Sequence, residues 1–241
     1  HLDPPPLSAS IVGELICSGL NNNLLAEELS PSLSLLERNL CKWFCKRLGL
    51  GNLSGGVAAS GGSLSNLMAL VMARNIAGLE SDPNAIFFAS DDCHVSFSKA
   101  FRIMGLKQES FQKIPTDEKG SLDISRLSSR LKKIKSEGKK CFAVVATLGT
   151  TVRGALDSVS EIAKLCKKEK IWLHVDGAIG GIFGISKATS KIVKGLGSAD
   201  SITVNPQKLL GIAKTSSLLL VADKKHLSST FLTGLPYVEP L

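Results

Sequence analysis

The chain has 241 residues, 44% of them hydrophobic and 5% aromatic, with a formal net charge of +8. That length suffices for one large domain or two small ones with a sizeable core. The basic residues fall in scattered pairs such as Lys132–Lys133 and Lys167–Lys168, without interleaved aromatics, so they read as solvated helix faces and exclude a nucleic-acid partner from the expected functions. No apolar run approaches the ~18 residues of a membrane span, and no signal peptide is visible. The six cysteines contain no CxxC pair, so a reduced, cytoplasmic chain is expected and a disulfide framework is not.

In chain order, HLDPPP is extended, because consecutive prolines are not helical. A short helix is expected over 11–20, broken by Asn21-Asn22-Asn23. Ser30-Pro31 reads as an N-cap and first helical residue, followed by Leu33, Leu36, Leu40, Phe44 and Leu48 at helical spacing. From Val57 the pattern alternates between strand and helix. Strands are expected at 57–59, 85–90, 108–114, 141–149, 171–176, 201–205 and 216–222. Helices are expected at 64–77, 95–104, 123–135 and 159–168. CFAVVATLG is a continuous apolar run, as for a central parallel strand covered on both faces. The last strand follows Lys208 with no room for a crossover helix, so it is expected to run antiparallel to its neighbour. The sum is an α/β architecture: a mostly parallel, helix-covered sheet with one antiparallel member. The expected division is an N-terminal segment, 1–52, and a large ligand-binding domain, 53–241. The chain starts at His1 and stops at Leu241 after a Gly/Pro-rich stretch, so a fragment of a longer protein is expected.

The chemistry is concentrated between Ile171 and Gly211. IWLHVD puts Asp176 at the carboxyl end of a buried strand, and SITVNPQK puts Lys208 just after the next one. Open α/β sheets bind ligands at the carboxyl ends of their parallel strands, so acid and amine converge on one crevice. A lysine that forms a Schiff base and an aspartate that holds a pyridinium nitrogen are the grip used for pyridoxal phosphate. Ser60-Gly61-Gly62-Ser63, between a strand and a helix, offers a backbone that admits an anion to a helix N-terminus. Ser63 either caps that helix or donates to a phosphate oxygen. The stretch is neither a Walker loop nor a GxGxxG fingerprint. His94 follows a strand, where an imidazole either stacks on a flat ring or caps at the surface. Thr150-Thr151 closes CFAVVATLG, Asn205 has an amide for phosphate, and the small Ala178 leaves room for a ring. The four histidines have no metal-binding spacing, so no metal is expected.

SGGSLSNLMALVMARN, SDDCH, TLGTTVRGALD, LHVDGAIGG and NPQKLLG, in this order and spacing, resemble the group II pyridoxal-phosphate-dependent amino-acid decarboxylases over nearly the whole chain. The resemblance implies fold type I, the aspartate aminotransferase-like large domain, with a small C-terminal domain missing here. It implies that Lys208 forms the Schiff base, that Asp176 pairs with the pyridinium nitrogen, and that His94 and Ala178 cover the two ring faces. Gly62, Ser63 and Asn205 fall where the family holds phosphate, and Thr151 where it has a threonine beside the ring. Tyr237 matches a mobile-loop tyrosine that protonates the substrate carbon. Asn23 resembles a substrate-contacting asparagine of the glutamate branch. A homodimer with the site at its interface is implied, as is decarboxylation of an acidic amino acid or 2,4-diaminobutyrate. GTTVRGALD and NNNLLAEELSP lie closer to the glutamate-like side than to the aromatic branch. Gln207 stands where the family has a histidine, so an acid/base role there is in doubt. HVDGA replaces HVDAA, which is expected to loosen the turn after Asp176. An aminotransferase or other lyase of the same fold, and an inactive scaffold, remain as alternatives.

Overall fold

The computed structural model describes residues 3–232. Among these, seven strands form one sheet in the order β1-β7-β6-β5-β4-β2-β3. They are β1 (Gly55–Ala59), β2 (Ile86–Ser90), β3 (Phe111–Ile114), β4 (Cys141–Thr147), β5 (Trp172–Asp176), β6 (Ser201–Val204) and β7 (Ser217–Val221). Strands β3, β2, β4, β5 and β6 pair parallel. β7 pairs antiparallel with both β6 and β1, so it is the one reversed member that the short connection requires.

Strand periodicity divides the core in two. Phe87, Val145, Leu219 and Val221 face α3 (Gly62–Ile76) and α4 (Ser96–Ile103). Their neighbours Phe88, Val144, Leu218 and Leu220 face α2 (Pro31–Leu48), α5 (Ile124–Ser136) and α6 (Val159–Glu169). Both faces are therefore sealed, which is why the central strands are apolar throughout rather than alternating. A site for polar chemistry is left only at the strand ends.

The local signals act as their chemistry dictates, with exceptions. Asp123 caps α5 by accepting from the Arg126 N–H at 3.0 Å. Ser30 holds the N-cap position of α2 but makes no side-chain cap bond, and its Oγ is buried without a partner among the described residues. Pro31, with its φ already fixed, starts that helix instead. Two regions depart from the expected pattern. Between β5 and β6 the glycine-rich stretch winds into three short 3₁₀ segments, Gly180–Ile185, Ser190–Val193 and Leu196–Ser198. Glycine's backbone freedom disfavours a longer helix there. A further helix, α7 (Lys225–Phe231), follows β7, with Asp223 accepting from the Lys225 N–H at 3.0 Å. α1 (Ser8–Leu20) buries none of its side chains, although Ile11, Val12, Leu15 and Ile16 line it. No helix among the described residues is long and apolar enough to cross a membrane.

Candidate active site

At the carboxyl edge of the parallel strands lies a cavity of about 470 Å³. Asp176 ends β5, and its register partner Thr147 ends β4. Both reach the cavity, as do Asn205 and Lys208 from the turn after β6. Gly62 and Ser63 come from the start of α3, His94 from the loop after β2, and Thr151 and Ala178 from the loops after β4 and β5. Eight residues singled out in the sequence for a cofactor thus line one space.

One wall is built for an anion. Gly61, at φ 147°, holds a backbone angle that side chains rarely adopt. A Cβ on Gly62 would lie 2.8 Å from Asn205 Nδ2, so only glycine lets α3 and the β6 turn approach this closely. The first N–H groups of α3 have no intrahelical acceptor and carry the positive end of the helix dipole. Asn205 Oδ1 accepts from the Ser217 hydroxyl at 2.7 Å, which leaves its amide NH₂ to donate. Ser63 does not cap the helix. Gly61 is the N-cap, and Ser63 is the second helical residue.

The acid lies beside the first turns of α3. Asp176 is 4% exposed. Its Oδ2 accepts from Asn66 Nδ2 at 3.0 Å and its Oδ1 from the Ala178 N–H at 3.2 Å. His94 is half-buried, with Nδ1 3.0 Å from Ser96 Oγ. Burial holds the His94 imidazole below its usual value, and the cations Lys208 and Lys99 add to this while the Asp176 carboxylate opposes it. Beneath Asp176 on the same strand face, His174 is fully buried. Burial lowers its pKa to about 4 against the pull of Asp176, so it is neutral at pH 7. Thr147 Oγ1 is buried with no hydrogen-bond partner among the described residues and borders the cavity. A buried hydroxyl without a partner costs roughly 1–3 kcal/mol, a cost that a polar ligand in this space would relieve.

Lys208 is half-buried, and its backbone N–H bonds to Asn205 O at 3.0 Å. Gln207 Oε1 accepts from the Ser216 N–H at 2.7 Å, so this side chain braces the turn behind Lys208. The turn after Asp176 is tight rather than loose: a Cβ on Gly177 would lie 2.9 Å from Thr203 O and 3.0 Å from Gly181 Cα. Glycine here lets the β5 turn press against β6. Asn23 is not among the residues lining the cavity; it lies in the exposed loop after α1, where its Oδ1 accepts from the Leu25 N–H at 2.8 Å. Tyr237 lies outside the described residues. Beside His94, Cys93 is mostly buried, and burial pushes its thiol up to about 12.

Sequence reasoning missed Asn66, Ser96, Thr147 and His174. Asn66 follows Gly62 by one helical turn, so it faces the same way. His174 precedes Asp176 by two strand residues and shares its face. Both periodicities were present, but a polar residue inside an apolar run carries no distinct signal for chemistry.

The cavity fits pyridoxal phosphate. It has an anion cradle that a single Cβ would fill, a lysine, a buried carboxylate, and a hydroxyl without a partner. Residues 7–240 match the pyridoxal-dependent decarboxylase conserved domain. An aromatic-L-amino-acid decarboxylase of Bacillus atrophaeus is 34% identical over 99% of this chain and 52% of its own length. An acidic amino acid decarboxylase of Xenopus tropicalis is 35% identical over 90% of this chain and 44% of its own. The chain thus spans about half the length of the curated relatives it matches. Among solved structures, the glutamate decarboxylase domain of diaminobutyrate-pyruvate transaminase and L-2,4-diaminobutyrate decarboxylase from Vibrio parahaemolyticus superposes with a TM-score of 0.91 at 30% identity, covering 96% of this chain and 53% of that one. By motif, fold and the residues of its cavity, the chain belongs to the pyridoxal-dependent decarboxylase family, of fold type I.

Proposed function

We propose that the full-length protein decarboxylates an L-amino acid, releasing CO₂ and the amine, and that the substrate is an acidic amino acid or 2,4-diaminobutyrate. The observation that carries this reading is that Lys208, Asp176 and His94 border one cavity together with the N-terminus of α3. The choice of substrate rests on the glutamate-like stretches GTTVRGALD and NNNLLAEELSP. The Bacillus and Xenopus relatives, which differ in substrate class, are almost equally similar to the chain.

Pyridoxal phosphate, when bound, supplies an aldehyde that captures an amine and a ring that draws electrons from the substrate α-carbon. Lys208 offers the amine that anchors the aldehyde. Asp176 keeps a proton on the ring nitrogen, because a carboxylate beside a cationic group favours its charged form. His94 and Ala178, which line the cavity, would flank the ring. Gly62, Ser63 and Asn205 hold the phosphate, and Thr151 stands beside the ring. Tyr237 delivers the proton to the substrate carbon, and Asn23 contacts the substrate.

The working unit in this reading is a homodimer, with residues from one subunit completing the other's site. The apolar α1, which buries no side chain within its own chain, suits such an interface. The division into 1–52 and 53–241 is then one of role, since α2 already shares the sheet's core through Cys41, Phe44 and Leu48. A cytoplasmic location accords with six cysteines that are all free. The test is to incubate full-length protein with a panel of amino acids and to quantify amine, CO₂ and keto acid by mass spectrometry. Amine with stoichiometric CO₂ is expected. Keto acid without CO₂ would replace the proposal with transamination, and a colourless protein that borohydride does not label at Lys208 would replace it with an inactive scaffold.

A further inference from the structure

The hydrogen bonds beneath the cavity run in one direction, fixed by the acceptor-only carboxylate of Asp176 and by the donor-only backbone N–H of Ser96. The Trp172 indole N–H, which only donates, lies 2.8 Å from Ser201 Oγ. Ser201 Oγ also lies 2.8 Å from His174 Nδ1, and with one proton and two lone pairs it can meet that nitrogen as donor or as acceptor. The Asp176 carboxylate, which only accepts, takes an Asn66 N–H, so Asn66 turns its oxygen to His174, and a neutral His174 carries its proton on Nε2 with Nδ1 left to accept from Ser201. That nitrogen lies 3.0 Å from Asn66 Oδ1. Asn66 then has two amide protons for two acceptors, Asp176 Oδ2 and Ser96 Oγ, each at 3.0 Å. The Ser96 hydroxyl passes its proton to His94 Nδ1 at 3.0 Å. The Ser96 backbone N–H, which also only donates, points at the same nitrogen from 3.2 Å. Flipping the Asn66 amide would set its oxygen against the Asp176 carboxylate, an unfavourable contact at this depth.

We propose that Asn66 is a positioning residue of the site, whose amide holds the Asp176 carboxylate and, through Ser96, orients His94 with Nδ1 as acceptor and its proton on Nε2. The inference rests on the reading of this cavity as the pyridoxal phosphate site. It assigns a purpose to three buried groups, Asn66, Ser96 and His174, of which only Asn66 borders the cavity. Asn66 links the two limbs. One oxygen receives the chain from His174, and one nitrogen splits it between the carboxylate and the serine. The neutrality of His174, enforced by its burial, keeps a second cation from competing for Asp176.

The test uses full-length protein with ¹⁵N-labelled histidine, with and without pyridoxal phosphate. Nitrogen chemical shifts at pH 8 are expected to show His94 and His174 both protonated at Nε2 and bare at Nδ1. A protonated Nδ1 on either ring would overturn the direction of the network. Cofactor affinity provides the second readout. Asn66→Ala is expected to weaken pyridoxal phosphate binding by about tenfold and to lower kcat by a similar factor, with KM changed less than twofold. Asn66→Asp keeps the shape but turns donors into a second carboxylate facing Asp176, so it is expected to be the worse variant, by about tenfold more. A residue that merely filled space would give the opposite order, and Asn66→Asp milder than Asn66→Ala would overturn the proposal. Should neither variant fold, the tautomers of the unaltered protein and the affinity of Ser96→Ala still decide, a loss of about threefold being expected for the latter and no loss counting against it. If the unaltered protein takes up no pyridoxal phosphate, the underlying reading of the cavity fails, whatever the tautomers are.

Discussion

Asp176 and Asp157 stand about one strand apart, both 4% exposed, yet their surroundings differ in kind. Asp157 spends its oxygens on backbone, accepting from the Thr147 N–H at 2.6 Å and from the Leu122 N–H at 2.7 Å. It ties the end of β4 to the turn before α5, and burial raises it to about 6 in spite of those two bonds. Asp176 takes a side-chain amide, one local backbone N–H and an open cavity that also holds Lys208. Burial alone therefore does not mark a working carboxylate. Asp157 also borders a cavity with Lys191 and Lys194, so a cavity and a cation do not mark one either. What differs is that both Asp157 oxygens are taken by long-range main-chain donors, whereas Asp176 is held by a side-chain amide and its own turn.

The contrast can be broken by substitution. Removing the anchor amine should be the most severe change: Lys208→Ala is expected to lower amine production by about 10³-fold or more, with loss of the borohydride-fixed label. Asp176→Asn should follow, with a loss of about 10²-fold in kcat/KM and a nearly unchanged melting temperature, since an amide fills the same space but no longer stabilises a positive ring. Asp157→Asn should do the reverse, costing about 2 kcal/mol in chemical denaturation while kcat changes only a few-fold. If Asp157→Asn cut activity as deeply as Asp176→Asn at unchanged stability, the distinction would be lost.

Two smaller effects sharpen it. His174 has a folded pKa of about 4, below its unfolded value of about 6.5. Unfolding therefore takes up a proton between these values, and the stability His174 contributes is present above the upper one and lost as pH falls toward the lower. Asp157 has the opposite sign: its folded pKa is raised, so its contribution is present at low pH and lost as pH rises through about 6. The two slopes oppose each other near pH 5, and a variant is needed to separate them. Urea denaturation of the unaltered protein and of His174→Gln, at pH 7.5 and 5.0, should show the stability gap between them shrinking by roughly 2 kcal/mol on acidification. Last, Gly62→Ala is expected to weaken pyridoxal phosphate binding by about tenfold, as the new Cβ displaces the Asn205 amide. Equal affinity in a fluorescence titration would remove Asn205 from the cradle.

Much of this was legible in the residues. The strand ends carrying Asp176 and Lys208, the glycine turn before α3 and the reversed β7 each follow from a local pattern with a geometric consequence. What was not legible depends on contacts between distant segments. Ser30 and Ser63 have the residue type of a cap, yet Ser30 holds the cap position without making the side-chain bond, and the position before α3 falls to Gly61. Gly177 reads as a source of slack, and only the approach of Thr203 O makes it a tight fit. The hydrogen bonds from Asn66 to His174 and Asp176 join residues more than a hundred positions apart, and no short-range pattern encodes such a pairing. Asn23 stands at the surface outside the cavity, where a run of asparagines marks a turn and carries no pattern for a substrate contact.

The burial of Cys93 has a chemical consequence. A thiolate next to a reactive carbonyl would compete with an amine for it, and with its thiol pushed up to about 12 Cys93 stays protonated and inert at neutral pH. Cys41 and Cys166 are muted in the same way, whereas Cys17 is exposed. Alkylating reagents should therefore react first at Cys17, and because α1 is the proposed subunit interface, a maleimide that marks dissociated chains but spares the assembled dimer would place Cys17 within it.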